Sequence, residues 1–213
     1  MTNRLLAILL LCVVCALPAV ADPAPTTAAP DPWDAIPIPD SQTLMAIQST
    51  MVMEPGKHGA TDIRARATDD AVQLLVTVGP SGDALMLMLQ TQGPQELRFT
   101  HATLKAPKAG ATFTVPAKDV LGTSLQESTG KITWYESWST GVDLGDPVAS
   151  DVLAPVYQIK IDKLWSLLSS ESLQIEFQGK ATTRKIEVPK DVILRERGIL
   201  QWYAAVRKGV VKI

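Results

Sequence analysis

The sequence predicts an α+β fold: an antiparallel β-sheet or sandwich-like core with two or three helices, including a C-terminal helix packed on the sheet. Short apolar or alternating segments recur along the chain between glycine- and proline-containing turns, which is typical of strands. Two further segments, near residue 165 and at the C-terminus, have the apolar spacing of helices. The 173 residues that follow position 40 are enough to bury one core.

The first 21 residues have the organisation of an export signal. Arg4 precedes an apolar run over residues 5–17, Pro18 ends that run, and residues 19–21 form an A-x-A cleavage site. An uncleaved membrane anchor is the alternative, but 13 apolar residues are fewer than the roughly 20 that span a bilayer. We therefore predict a signal peptide over residues 1–21 and a mature chain that begins at Asp22.

Both cysteines belong to the predicted signal. Cys12 and Cys15 have the spacing of a redox or metal pair, but they lie inside the apolar run, so the 192-residue mature chain would be cysteine-free. The only asparagine is Asn3, which leaves no N-glycosylation sequon after cleavage. These features favour a bacterial protein that is periplasmic or secreted and has no stable membrane anchor once the signal is removed.

Charge excludes one class of partner. The mature chain would carry 19 basic and 22 acidic side chains, with no basic stretch. A protein that binds nucleic acid through its phosphates needs a basic surface. We therefore expect no nucleic-acid partner.

Residues 22–40 are predicted to be a flexible, proline-rich linker. Six prolines in 19 residues remove backbone donors and favour an extended chain. Trp33 is exceptional there, with Ile36 and Ile38 close by. It either folds back onto the domain or forms a short docking motif. Residues 41–213 then form a single α+β domain.

The elements of that domain follow from periodicity and turn chemistry. Residues 41–52 fit a capped helix or a strand, Asp162 is a candidate N-cap for a helix over residues 163–169, and Pro189 begins a final helix to about residue 208. In the final helix, Trp202 and Tyr203 are predicted to face the sheet. The predicted strands cover residues 72–78, 84–89, 97–104, 112–115, 131–138, 156–161, 173–177 and 183–188.

A short internal echo raises the hypothesis of a duplicated half-fold. Residues 115–120 read V-P-A-K-D-V and residues 188–192 read V-P-K-D-V. Each follows two predicted strands. On this hypothesis, each copy is a β-hairpin that leads into a helix.

Catalytic chemistry has few candidates. His58 lies in a predicted turn and His101 on a predicted strand, and two separated histidines do not make a zinc site. Residues 128–131 match S-x-x-K, but they lie at a predicted hairpin turn rather than at a helix start. Residues 79–83 are not a G-x-S-x-G elbow because position 83 is aspartate. We therefore predict no catalytic residue, no metal site and no cofactor.

The most suggestive segment for ligand binding is residues 134–138. Trp134 and Trp138 would point to the same face of a strand, about 13 Å apart, so they form either a stacking platform or part of the core. Residues 139–155 are predicted to be a long loop, and long loops in compact domains are often functional. Asp143 and Asp146 lie in it and complete the predicted ligand site.

These observations predict an exported, non-catalytic protein that binds a ligand or serves as a cell-envelope accessory protein. Its partner would be a protein or a polysaccharide. Two alternatives remain open at this point. One is a hydrolase with a Ser/Asp site, which would place Ser81 or Ser128 in a cleft beside a base. The other is a structural subunit of an envelope assembly, which would present a large apolar patch.

The signal hypothesis predicts the mass of the exported protein. Because cleavage follows residue 21, the exported chain should begin at Asp22 and contain no thiol. Intact-mass spectrometry and thiol titration of the exported protein check this. A mass that retains the leader, or an acylated cysteine, would contradict it.

Overall fold

Two antiparallel-rich sheets face each other in the fold. The computed structural model describes residues 31–67, 70–116, 120–128, 130–145, 158–180 and 182–213. The larger sheet has the strand order β1-β2-β3-β4-β8-β7, with β9 parallel to the last part of β8. Its strands are β1 (Met51–Pro55), β2 (Thr61–Ala65), β3 (Val72–Val78), β4 (Ala84–Gly93), β7 (Val120–Ser128), β8 (Lys131–Asp143) and β9 (Gln158–Lys160).

The smaller sheet consists of two hairpins side by side. Its strand order is β11-β10-β5-β6, so the hairpins meet where β5 pairs with β10. Its strands are β5 (Phe99–Ala106), β6 (Ala111–Pro116), β10 (Leu173–Gly179) and β11 (Thr183–Val188). The described helices are α1 (Ser41–Ser49), α2 (Ile161–Leu168) and α3 (Lys190–Arg207), so the predicted α+β class with a C-terminal helix is confirmed.

The core fills the space between the sheets and the helices. Val76 of β3 and Leu87 of β4 are fully buried, whereas their neighbours in sequence are only half-buried. This alternation assigns an inner and an outer face to the larger sheet. α3 covers the inner face at β2 and β3, and the smaller sheet with α2 covers it near β8.

The C-terminal helix is anchored as predicted. Trp202 and Tyr203 are completely buried. The Tyr203 hydroxyl donates to Asp83 in the β3–β4 turn at 2.8 Å, and burial raises the pKa of that phenol. Gly198 faces Ile47 of α1, whose side chain leaves little room for a Cβ, so this glycine permits two helices to pack closely.

Trp33 folds back onto the domain. Its indole is buried, donates from Nε1 to the Leu144 carbonyl at 2.8 Å, and meets the Tyr203 ring edge-on at 5.4 Å. Ile36 is buried too, and Gln201 of α3 donates to the Pro37 carbonyl. The flexible linker predicted as far as Asp40 is therefore wrong for residues 31–40. Residues 1–21 and 22–30 lie outside the described residues.

Several element boundaries differ from prediction. Of the helix and the strand predicted as alternatives for residues 41–52, the structure has the helix, α1, over Ser41–Ser49. Asp40 caps it by accepting from the Thr43 N–H at 2.8 Å. β2 and β7 were not predicted. β8 continues to Asp143, so the predicted loop over residues 139–155 begins five residues too early.

The internal echo does not mark equivalent structures. Val115 is next to the end of β6 and Val188 ends β11, so each lies at the end of the second strand of a hairpin. However, Val120 begins strand β7, whereas Lys190 begins helix α3. The expectation of two hairpin-to-helix units is therefore not met.

The burial of Trp33 predicts a stability cost for its removal. Trp33→Ala should lower the free energy of unfolding by about 3–5 kcal/mol, because a completely buried indole and its hydrogen bond are lost. Urea denaturation measures this. Met45→Ala on α1 is the matched control, since Met45 is 71% exposed. Equal midpoints for the two variants would contradict the packing of Trp33.

Candidate functional site

Trp138, the second tryptophan of the predicted ligand site, belongs to the core. Its side chain is completely buried and lies between two rings of the smaller sheet. The ring centroids of Phe99 and Phe177 are 3.8 Å and 5.2 Å from that of Trp138. Trp138 therefore joins the two sheets and is not a stacking platform at the surface.

The other predicted site residues are not brought together with Trp138 at the surface. Trp134 lies four residues earlier on the same strand and is half-buried. Asp143 ends β8, where its carboxylate accepts from the Gly145 N–H at 3.0 Å. Asp146 and residues 147–155 of the predicted loop lie outside the described residues. The structure thus leaves Trp134 as the accessible part of the predicted pair.

A buried carboxylate holds the crossover from the larger to the smaller sheet. Glu136 is 1% exposed. Its Oε1 accepts at 2.5 Å from the N–H of Leu97, a residue in the connection between β4 and β5. Arg184 of β11 donates to the Gln95 carbonyl of the same connection. Gly179 lies so close to Leu97 that a Cβ would collide with the Leu97 carbonyl oxygen, which explains the glycine.

Other polar atoms near this crossover lack partners among the described residues. They are Thr91 Oγ1, Glu136 Oε2, Trp138 Nε1 and Arg184 Nη1. Thr91 is directly opposite Glu136 across the β4–β8 pair, and the Arg184 guanidinium occupies the space beside Gly93. These groups are shut off from solvent in this conformation. They therefore lie in the buried contact between the two sheets and do not line an open site.

A second buried carboxylate lies under α3. Glu196 is completely buried, and its Oε2 accepts from the Leu74 N–H at 2.7 Å. The β2–β3 pairing ends at Arg64 and Leu75, so Glu196 satisfies a donor that the sheet leaves over. Arg195, itself paired with Asp70, approaches Oε1 only to 3.5 Å.

Burial governs the protonation of Glu196. It raises the pKa of this carboxyl from 4.5 to about 7, against the opposing effects of the Leu74 hydrogen bond and Arg195. The Asp70 carboxylate raises the pKa further. No solvent reaches Glu196, so we assign it a structural role.

The catalytic candidates of the sequence are dispersed. His58 lies in an exposed turn with φ of 55°, and His101 is half-buried on β5. Ser81 is exposed in the β3–β4 turn. Within the described part of the chain, no three His, Cys, Asp or Glu side chains form a group that could hold a metal ion.

The outer surface of the larger sheet carries no charged side chain across β3, β4 and residues 133–141 of β8. Charged residues lie at its edges: Lys131 and Asp143 at the two ends of β8, and Asp62 and Arg64 on β2. We call this surface the neutral face. The register pairs Leu75 with Met86 and Met88 with Ser139 across it. Its residues are Leu75, Thr77, Met86, Met88, Gln90, Gln92, Tyr135, Ser137 and Ser139. Gln73 lies on the same side of β3 but is buried, and it donates to the Ala67 carbonyl.

The outer surface of the smaller sheet has the opposite character. Lys105 and Lys185 both pair with Glu176, at 3.1 Å and 3.6 Å, and Gln174 donates to Glu187 at 2.8 Å. The Lys105 ammonium holds the pKa of Glu176 below its usual range. Such ladders of charge are normal for a sheet face in water. The neutral face lacks them, which makes it the candidate interaction site.

The distribution of charge along the sequence contains a signal for the neutral face. Residues 71–93 contain a single charged side chain, Asp83, and it lies in a turn against Tyr203. Residues 132–142 also contain one, Glu136, and it is buried. Long strands whose only charges point inward predict a neutral outer face.

The chain matches no known protein family, no curated protein and no solved structure. Among the described helices, none has both the length and the hydropathy needed to cross a bilayer. The case for a function therefore depends on the geometry above.

The raised pKa of Glu196 predicts that the stability of the protein depends on pH. Its pKa is higher in the folded chain than in the unfolded chain, so the folded state binds the extra proton. The contribution of Glu196 to the free energy of unfolding should be fully present below pH 4.5, fall as the pH rises to about 7, and then level off. The loss attributable to this group is roughly 3 kcal/mol.

Glu196→Gln should remove that part of the pH dependence. The amide still accepts from Leu74 N–H but does not ionise, so the variant should be more stable than the wild type at pH 8. Urea denaturation from pH 4 to pH 8 measures the difference. Glu187→Gln at an exposed position is the control. An unchanged pH profile in Glu196→Gln would contradict the assignment.

Proposed function

We propose that this protein is an exported, non-catalytic binding or cell-envelope accessory protein that acts through its neutral face. The observation that supports this proposal is the contrast between the two outer sheet surfaces. One is covered with ion pairs, and the other has none over three adjacent strands. An uncharged surface with a methionine-rich centre loses little solvation when it is covered.

The side chains of the neutral face suit an uncharged partner. Glutamine amides and hydroxyl groups each donate and accept hydrogen bonds, so they adapt to amides or hydroxyls on a partner. The partner is accordingly a protein surface or a polysaccharide without net charge. Export agrees with this role, and its basis in the sequence is the A-x-A site at residues 19–21.

The structural subunit of an envelope assembly is the second candidate. Met86, Met88 and Leu75 form an apolar centre on the neutral face, which favours it. The alternative of a Ser/Asp hydrolase has less support, because Ser81 is exposed in a turn. Ser128 ends β7, beside Lys131 in the register of the β7–β8 hairpin.

Site-specific photocrosslinking in the producing cell tests the neutral face as a binding surface. A benzophenone amino acid replaces Met88 in one variant and Thr103, on the outer surface of the smaller sheet, in the control. We expect an adduct from position 88 and none from position 103. Mass spectrometry of the adduct distinguishes protein from polysaccharide.

Two outcomes would contradict the proposal. One is the absence of any adduct at position 88 in correctly exported protein. The other is equal crosslinking at positions 88 and 103, which would indicate non-specific collision.

A further inference from the structure

The geometry points to a second copy of this chain as the partner that covers the neutral face, in a two-fold symmetric pair of sheets. This inference rests on the function proposed above and names its partner. It follows from three properties of the neutral face: its charge, its hydrogen-bonding groups and its apolar centre.

Charge is the first property. In a two-fold interface, residues near the axis face their own copies, so any charge there meets a like charge. The outer surface of the smaller sheet would bring the Lys105, Glu176 and Lys185 clusters into such positions. The neutral face avoids this cost at its centre. The charged residues of the same surface lie at its edges: Asp62 and Arg64 on β2, and Lys131 and Asp143 at the ends of β8.

The hydrogen-bonding groups are the second property. Each polar side chain on the neutral face is an amide, a hydroxyl or a phenol. Such groups both donate and accept, so a group that is not already bonded within the chain can pair with an identical group on another copy. Thr77 is a member that is already bonded, since its hydroxyl donates to Asp62 at 2.6 Å. Gln90 lies opposite Ser137 and Gln92 opposite Tyr135, which places self-complementary groups in neighbouring rows.

The apolar centre is the third property, and it favours a protein over a glycan. Met86, Met88 and Leu75 are adjacent on two paired strands. Methionine adapts its shape to other apolar side chains. A glycan platform instead relies on flat aromatic rings, and Tyr135 is the one aromatic residue of the neutral face.

The size of the face sets the strength of the association. Three strands about 4.8 Å apart and roughly 20 Å long give a footprint of a few hundred Å², below that of a standard interface. The dimer should therefore be weak and depend on concentration. In such a dimer, the larger sheet of one copy would stack on the larger sheet of the other about 10 Å away, as in a β-sandwich.

Sedimentation velocity of the exported protein at rising concentration tests this inference. We expect reversible dimerisation of the wild type between about 10 μM and 1 mM. Met88→Lys should weaken the association about tenfold or more, because an ammonium would be buried without a partner. Thr103→Lys on the smaller sheet is the matched control and should associate like the wild type.

A second variant protects the test against misfolding. Gln90→Glu keeps the size of the side chain and places like charges near the interface, so it should also weaken association above pH 6. Thermal midpoints confirm that each variant is folded. A wild type that stays monomeric up to 1 mM would overturn the inference, as would association that neither neutral-face variant weakens.

The two proposals fail in different ways. If the wild type is monomeric but still crosslinks from position 88 to another molecule, the inference of a second copy as partner is overturned. The proposed binding function is then retained. The absence of both association and crosslinking would overturn both.

Discussion

The arrangement of the two sheets depends on the hydrogen bond from Leu97 N–H to the Glu136 carboxylate. The connection from β4 to β5 takes the chain from the larger to the smaller sheet, and it leaves the Leu97 N–H inside the protein. A buried donor without a partner costs on the order of 1–3 kcal/mol, so the acceptor must come from a side chain. Glu136 provides it from the larger sheet, while Gly179 allows the smaller sheet to approach the same residue. Trp138 then fills the space between the sheets.

A second backbone N–H is bonded to a buried carboxylate under the C-terminal helix, where Leu74 donates to Glu196. In both places a buried carboxylate, from β8 at Glu136 and from α3 at Glu196, accepts from a backbone N–H inside the protein. Burial raises the pKa of the Glu196 carboxyl to about 7. The inner surfaces of this protein therefore hold carboxylates at defined positions, whereas the neutral face on the other side of the same strands holds no charge.

The fold class, the C-terminal helix and the β10–β11 hairpin were predictable because each has a strong local signal. Residues 173–188 alternate on either side of a turn, and the final helix begins at proline and carries Trp202 and Tyr203 on one side. β2 was missed because its sequence, T-D-I-R-A, is polar apart from Ile63 and Ala65. Its strand state depends on pairing with β1 and β3, which no local pattern contains. The end of the linker was misplaced for a similar reason. Proline content favours an extended chain, but the burial of Trp33 depends on Leu144 and Tyr203, more than 100 residues away.

The predicted ligand site shows where periodicity stops being informative. A period of two correctly places Trp134 and Trp138 on one face of β8, but it does not say which face the smaller sheet covers. The β4–β5 crossover sets which face of β8 the smaller sheet covers, and Trp138 lies on the covered face, in the core. The same choice leaves Tyr135, Ser137 and Ser139 on the outside, where they continue the uncharged rows of β3 and β4. The crossover that buries the predicted site therefore also exposes the neutral face, and for that reason the neutral face replaces the tryptophan pair as the surface through which we expect this protein to act.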